Sequence, residues 1–212
     1  MGTFIAVHPD NVNDAAAGDL SNWCTEATRR ASAKGHTLSS EVTRSTPCDR
    51  ANVDTALAAL GDVFFFFGHG TEDDLKGEHR ASVVDNRNAT HAKGKVVVAI
   101  ACESGRGLGP DAIVAGVRAY LGFNIKLAWI PPYRGQPDVF KDAMLSSLDV
   151  LIDGGSVQDL RDELYSQLTV VADYYGKGAG SKYHNALNGY FVAHAVKDNI
   201  AGLGDTQFAP LP

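Results

Sequence analysis

The chain has 212 residues, 44% hydrophobic and 21% charged, with a net charge of −6, which is enough apolar material for one sizeable core. The acidic balance excludes a broad nucleic-acid-binding surface, which needs clustered Lys and Arg. No apolar run approaches the roughly 20 residues that cross a bilayer, so no membrane partner is expected.

The opening residues carry no basic segment ahead of a long apolar stretch, so no signal peptide is expected. Thr3 to Val7 is short and β-rich, and His8-Pro9-Asp10 ends it. From Asp14 to Lys34, Leu20, Trp23, Ala27 and Ala31 recur at helical spacing, and Gly35 closes the segment. Thr37 to Thr43 reads as a second strand, and Asp49 to Leu60 as a helix with Val53, Ala56, Leu57 and Leu60 on one face. Val63 to Phe67 and Val96 to Ala101 are continuously apolar rather than alternating. That is the pattern of strands covered on both faces in a parallel sheet. A helix around Ala112 to Leu121 and a strand from Ile125 to Ile130 are expected next. The chain from Val139 to Lys197 reads as mostly helical, broken at Gly154-Gly155 and at a flexible-loop candidate, Gly176 to Gly180. Strands alternating with helices predict a single α/β domain over residues 1–212, with a mostly parallel central sheet flanked by helices.

Three cysteines, Cys24, Cys48 and Cys102, form neither a CxxC pair nor a disulfide-dense framework. A reducing cytoplasm is the expected compartment. Cys24 and Cys48 have no matching partners and read as structural thiols, whereas Cys102 has company. In open α/β sheets, sites collect at the carboxyl ends of parallel strands. The phenylalanine run ends in Gly68-His69-Gly70, and the valine run ends in Ala101-Cys102-Glu103-Ser104-Gly105. If the two strands are neighbours, imidazole and thiol face one another across about 5 Å of sheet. A thiol beside an imidazole can pass on its proton and act as a nucleophile. The amides of Gly70 and Cys102 are placed to hold a developing oxyanion. His8 reads as a loop residue. The remaining histidines lack metal-ligand spacing, so no metal is expected. The Gly176–Lys182 stretch has Gly-Ser-Lys where a phosphate loop needs Gly-Lys-Ser/Thr.

The pair FFFFGHG and VVVAIACESG resembles the His and Cys motifs of caspase-like cysteine peptidases (clan CD), most closely the CHAT (caspase HetF associated with TPRs) family. Downstream, GRGLGPDAIVAGVRAYLGFNIKLAWI is similar to that family's glycine-containing loop, helix and Trp-ending strand. PDVFKDAMLSSLDVLIDGGSVQDLRDEL is similar to the helical hairpin that follows. The resemblance implies a caspase-like three-layer sandwich and a cysteine endopeptidase with a His69–Cys102 dyad. It also implies hydrolysis through a thioester, with no cofactor, and an oxyanion hole at Gly70 and Cys102. The substrate would be a protein or peptide cut after Arg or Lys, with an activating protein partner, in a bacterial regulatory or defence pathway. Ile100 stands two residues before the nucleophile and supplies no acidic pocket group. Asp138 is the substitute, with Trp129 and Glu103 as further substrate-contact candidates. For Glu103, a loop carboxylate paired with a nearby donor is the plainer reading. Arg106, Arg134, Lys177 and Lys182 fall in predicted loops where self-cleavage is physically easy.

Two other readings remain open at the level of sequence. One is a non-catalytic interaction module that keeps the caspase-like fold. The other is a hydrolase that uses Cys102 on small molecules.

Overall fold

A computed structural model describes residues 1–10, 14–132 and 135–211. The first strand, β1 (Thr3–Val7), leads into α1 (Ala15–Ala33), β2 (Thr37–Val42), α2 (Arg50–Ala58) and β3 (Val63–Phe67). A small antiparallel sheet follows, made of β4 (His69–Gly70), β5 (Asp74–Lys76) and β6 (Ser82–Asp85). The chain then re-enters the main sheet at β7 (Val96–Ile100), passes through α3 (Leu108–Val114) and adds β8 (Ala119–Phe123). Three long helices, α4 (Val139–Ile152), α5 (Val157–Gly176) and α6 (Ala186–Lys197), precede the last strand, β9 (Ile200–Gly204).

The main sheet has the order β2-β1-β3-β7-β8-β9. Every pairing in it is parallel except β8 with β9. Alternate residues of the continuous apolar runs feed opposite cores. Phe65 and Phe67 join Phe4, Val98 and the helices α1, α4 and α5. Phe64 and Phe66 join Ile5, Val97, α2, α3 and the small sheet. All five residues of β3 and all five of β7 are buried, which is why neither run could alternate with polar residues. The result is the expected three-layer sandwich around a mostly parallel sheet. Helix starts follow from local chemistry: the side chains of Asp14, Asp49, Asp138 and Ser156 cap α1, α2, α4 and α5.

One expected stretch is displaced. In place of a helix around Ala112 to Leu121, α3 ends at Val114 and Gly116 turns the chain at φ +98°. The fully buried run Ala-Tyr-Leu-Gly-Phe then forms β8. The strand expected from Ile125 to Ile130 is not one. Those residues leave the sheet, and the Ile125 carbonyl accepts from Glu103 N–H at 2.8 Å instead of a ladder partner. The Gly176–Gly180 stretch forms the last residue of α5 and the start of a 3-10 turn over Ala179–Lys182. The strand β9 and the small sheet were not legible from periodicity. Their segments are short, and β9 carries two glycines in five residues.

Candidate active site

Neighbouring strands β3 and β7 run in register, Phe67 opposite Ile100, and both leave the sheet at the same level. Gly68 N–H still donates to the Ile100 carbonyl at 3.2 Å. Beyond it His69 and Gly70 peel away to pair with Lys76 and Leu75 of β5. On the other strand, Cys102 follows Ala101 into a turn whose next residue, Glu103, has φ +54°. The two turns are pressed together: a Cβ on Gly70 would lie 2.8 Å from the Cys102 carbonyl oxygen. Only glycine permits that approach, and it carries the Gly70 backbone alongside the thiol-bearing residue. His69 and Cys102 share a cavity of about 90 Å³ with Ala16, Leu20, Gly68, Leu127 and Trp129.

The orienting partner of His69 comes from an element that sequence reasoning had assigned only to a helix start. Asp14 Oδ2 lies 2.7 Å from His69 Nε2, while Oδ1 accepts from Ala17 N–H at 3.2 Å. Arg80 Nη2 donates to the same Oδ2 at 3.3 Å. Burial works to raise the Asp14 pKa, but the bonds from His69, Ala17 and Arg80 outweigh it and hold the carboxyl below its ordinary value. With Nε2–H donating to this carboxylate, Nδ1 is the basic nitrogen of the ring. The thiol of Cys102 lies 3.8 Å from the Leu127 carbonyl oxygen. Burial is the largest influence on it and pushes its pKa up; the negative charge of Glu103 adds to the rise and the positive charge of Lys126 opposes it. It therefore rests as a protonated thiol at neutral pH.

Beside the cavity, Trp129 packs against Trp23 with ring centroids 5.2 Å apart, and its Nε1–H donates to Asp19 Oδ2 at 3.2 Å. A second recess, about 330 Å³, is lined by Ala15, Ala16, Asp19, Ala128, Trp129 and Pro131. The two hollows share Ala16 and Trp129, and Asp19 lines the larger one. Asp138 caps α4. Burial raises its pKa, and the negative charges of Asp142 and Asp19 add to the rise. The substitute acid of the sequence reading is thus within electrostatic reach of Asp19, which lines the recess itself. Glu103 lies 3.6 Å from Arg106 Nη1, the loop pairing given as its plainer reading. Arg106, Lys177 and Lys182 are exposed, and Arg134 lies outside the described residues. Among the described residues no His, Cys, Asp and Glu cluster suits a metal ion, and no helix is long and apolar enough to cross a membrane.

Asp14 was missed because it reads locally as a helix cap, and Asp19 because it reads as an ordinary helical carboxylate. The signal that could have found them is topological. Both lie just after β1, the neighbour of β3, so they emerge at the same sheet end as His69.

The fold is that of the caspase-like α/β class, and the comparison with solved structures agrees. The chain is similar to the complex of the pro- and mature domains of Porphyromonas gingivalis RgpB, with a TM-score of 0.60 at 13% identity over 98% of this chain and 47% of that one. It is also similar to the Arg-specific cysteine proteinase gingipain R, with a TM-score of 0.56 at 12% identity over 100% of this chain and 48% of that one. A third structure, described as a protease, gives 0.57 at 12% identity over 98% and 48%. The chain therefore spans about half the length of the structures it matches. At these identities the likeness establishes a shared fold. No protein-family model and no curated protein matches the sequence.

Proposed function

We propose that the chain is a cysteine endopeptidase that cuts a protein or peptide substrate after Arg or Lys. The observation that carries this reading is the single cavity shared by His69 and Cys102, joined at Trp129 to a recess lined by Asp19. A substrate guanidinium or ammonium entering that recess meets a carboxylate with one oxygen already fixed by Trp129. The aromatic face offers further attraction to a cation. Asp138 adds negative potential from the start of α4.

In the reaction so assigned, Cys102 sulfur attacks the scissile carbonyl as its proton passes to His69 Nδ1. The oxyanion is held by the amides of Gly70 and Cys102. The C–N bond then breaks, His69 returns the proton to the leaving amine, and the acyl group stays on sulfur as a thioester. Water, deprotonated by His69, releases the acid product. Asp14 keeps the imidazole in the tautomer and orientation that these transfers need. The cytoplasm is the setting we assign, because all three cysteines stand as free thiols. The narrower likeness to the CHAT family, and a bacterial defence role with it, rests on the motifs quoted above.

The reading is tested with fluorogenic peptides bearing Arg, Lys, Asn or Asp before the reporter. Cleavage after Arg and Lys, abolished by Cys102→Ala, is the expected result. Cleavage that survives Cys102→Ala would sink it.

A further inference from the structure

Two consecutive residues, His79 and Arg80, hold φ values of 53° and 59°, in the left-handed region that L-residues other than Asn and Asp rarely adopt. The turn that carries them is closed by backbone bonds. Gly77 N–H donates to the Ala81 carbonyl at 2.8 Å, Arg80 N–H to Gly77 at 3.2 Å, and Glu78 N–H to Cys48 at 2.9 Å. What the strained turn achieves is the placement of one side chain. Arg80 Nη2 stands 3.3 Å from Asp14 Oδ2, the same oxygen that lies 2.7 Å from His69 Nε2. Strain kept at such a point, where glycine would relax it, argues from the outlier to a role for the side chain.

We propose that Arg80 is a positioning residue for His69: it shares the Asp14 carboxylate from the solvent side, so that Asp14 orients the imidazole without drawing it into the charged form. A carboxylate in contact with a single imidazole favours imidazolium. A guanidinium on the same oxygen offsets part of that pull. Next to a thiol that rests protonated, the useful resting imidazole is the neutral one, because only that form can accept the thiol proton. Among the described residues, Cys102 from the end of β7 lines the same cavity as His69, and Lys76 is its cross-strand partner on β5. Lys76 is already held by Asp74 at 2.6 Å. The Arg80 side chain is 71% exposed, so its influence is modest and weakens with salt. The proposal rests on the peptidase reading only for what His69 does, since the charge sharing holds whether or not peptide is cut.

The test is an NMR titration of the His69 ring protons in the intact chain at low salt, for wild type, Arg80→Gly, Arg80→Asn and Arg80→Lys. Glycine and asparagine both tolerate the left-handed backbone, so at least one uncharged variant should fold and melt no lower than wild type. In it the His69 midpoint should rise by about 0.2 to 0.7 pH unit. The rise should shrink in about 0.5 M salt, and Arg80→Lys should restore most of the wild-type midpoint. An unchanged or lowered midpoint in the folded uncharged variants overturns the proposal. An upward shift in a chain that cuts no peptide would support it while removing the peptidase reading, so the two failures are distinguishable.

Discussion

Trp129 Nε1 and Asp19 Oδ2 lie 3.2 Å apart, although their residues come from different elements on the same side of the sheet. The bond fixes one carboxylate oxygen of a residue that also lines the recess. On the proposed reading, Asp19 is a specificity group held in place before substrate arrives. Asp19→Asn should keep the Trp129 contact and lose the charge. We expect kcat/KM for Arg and Lys reporters to fall roughly 10- to 100-fold, the range of a charge-assisted hydrogen bond, with neutral reporters little changed. An unaltered Arg-to-Asn preference would place the selecting group elsewhere, with Asp138 the next to replace.

Gly70 carries a different kind of constraint. A Cβ there would meet the Cys102 carbonyl oxygen at 2.8 Å and the Ala101 Cβ at 3.0 Å, so Gly70→Ala must push the two turns apart. Loss of one aligned oxyanion donor predicts a fall in kcat of about 10²- to 10³-fold. Steady-state kinetics with melting curves check it. Wild-type kcat in the variant would remove Gly70 from the oxyanion site.

The three thiols should separate by alkylation. Burial raises the pKa of each, pushing Cys48 up to about 12 and Cys24 well above its ordinary value, both with little exposure. Cys102 is half-buried and opens on the cavity. Iodoacetamide followed by peptide mass spectrometry should label Cys102 first, slowly at pH 7 and faster as pH rises toward its raised pKa. Fast labelling at pH 6 would instead indicate a thiolate–imidazolium pair at rest.

Asp85 ties the small sheet to α2. Its Oδ2 lies 2.6 Å from Arg50 Nη2 and 3.0 Å from Arg87 Nε, and the side chain is only 12% exposed. Burial opposes its charge, yet the bonds from Arg87 and Arg50 prevail and hold its pKa well below the usual carboxylate range. A depressed folded-state pKa adds stability in full above the unfolded value, near 3.9, and loses it as pH falls through the folded one. Asp85→Asn should therefore cost about 1–3 kcal/mol at pH 7. Urea unfolding should show that gap narrowing below about pH 4. A gap independent of pH would mean that the loss is one of packing.

How far the sequence was legible follows from which interactions are local. The runs at Val63 to Phe67 and Val96 to Ile100 announced two-sided burial, and with it the neighbouring strands that bring His69 and Cys102 to one cavity. Trp129 was placed at the site, although the segment carrying it is not a strand. Asp14 and Asp19 were not found, because a helix cap and a helical carboxylate look alike wherever they occur. Only the packing of α1 against β3, which sets Asp14 beside His69, makes them neighbours of the cavity. The displaced β8 has a similar cause. Its apolar run abuts a helix without a polar break, and the turn at Gly116 becomes visible only once Val96 to Val98 have found Ala119 to Leu121 as partners.

A half-buried Cys102 that waits with its proton on has a consequence for survival as well as for turnover. Peroxide and other oxidants attack thiolates far faster than thiols. A sulfur that loses its proton only as a substrate arrives is shielded from sulfenic acid during idle periods. On the proposed reading, the same burial that slows the first step would preserve the sulfur through oxidative stress that would spend a permanently ionised cysteine.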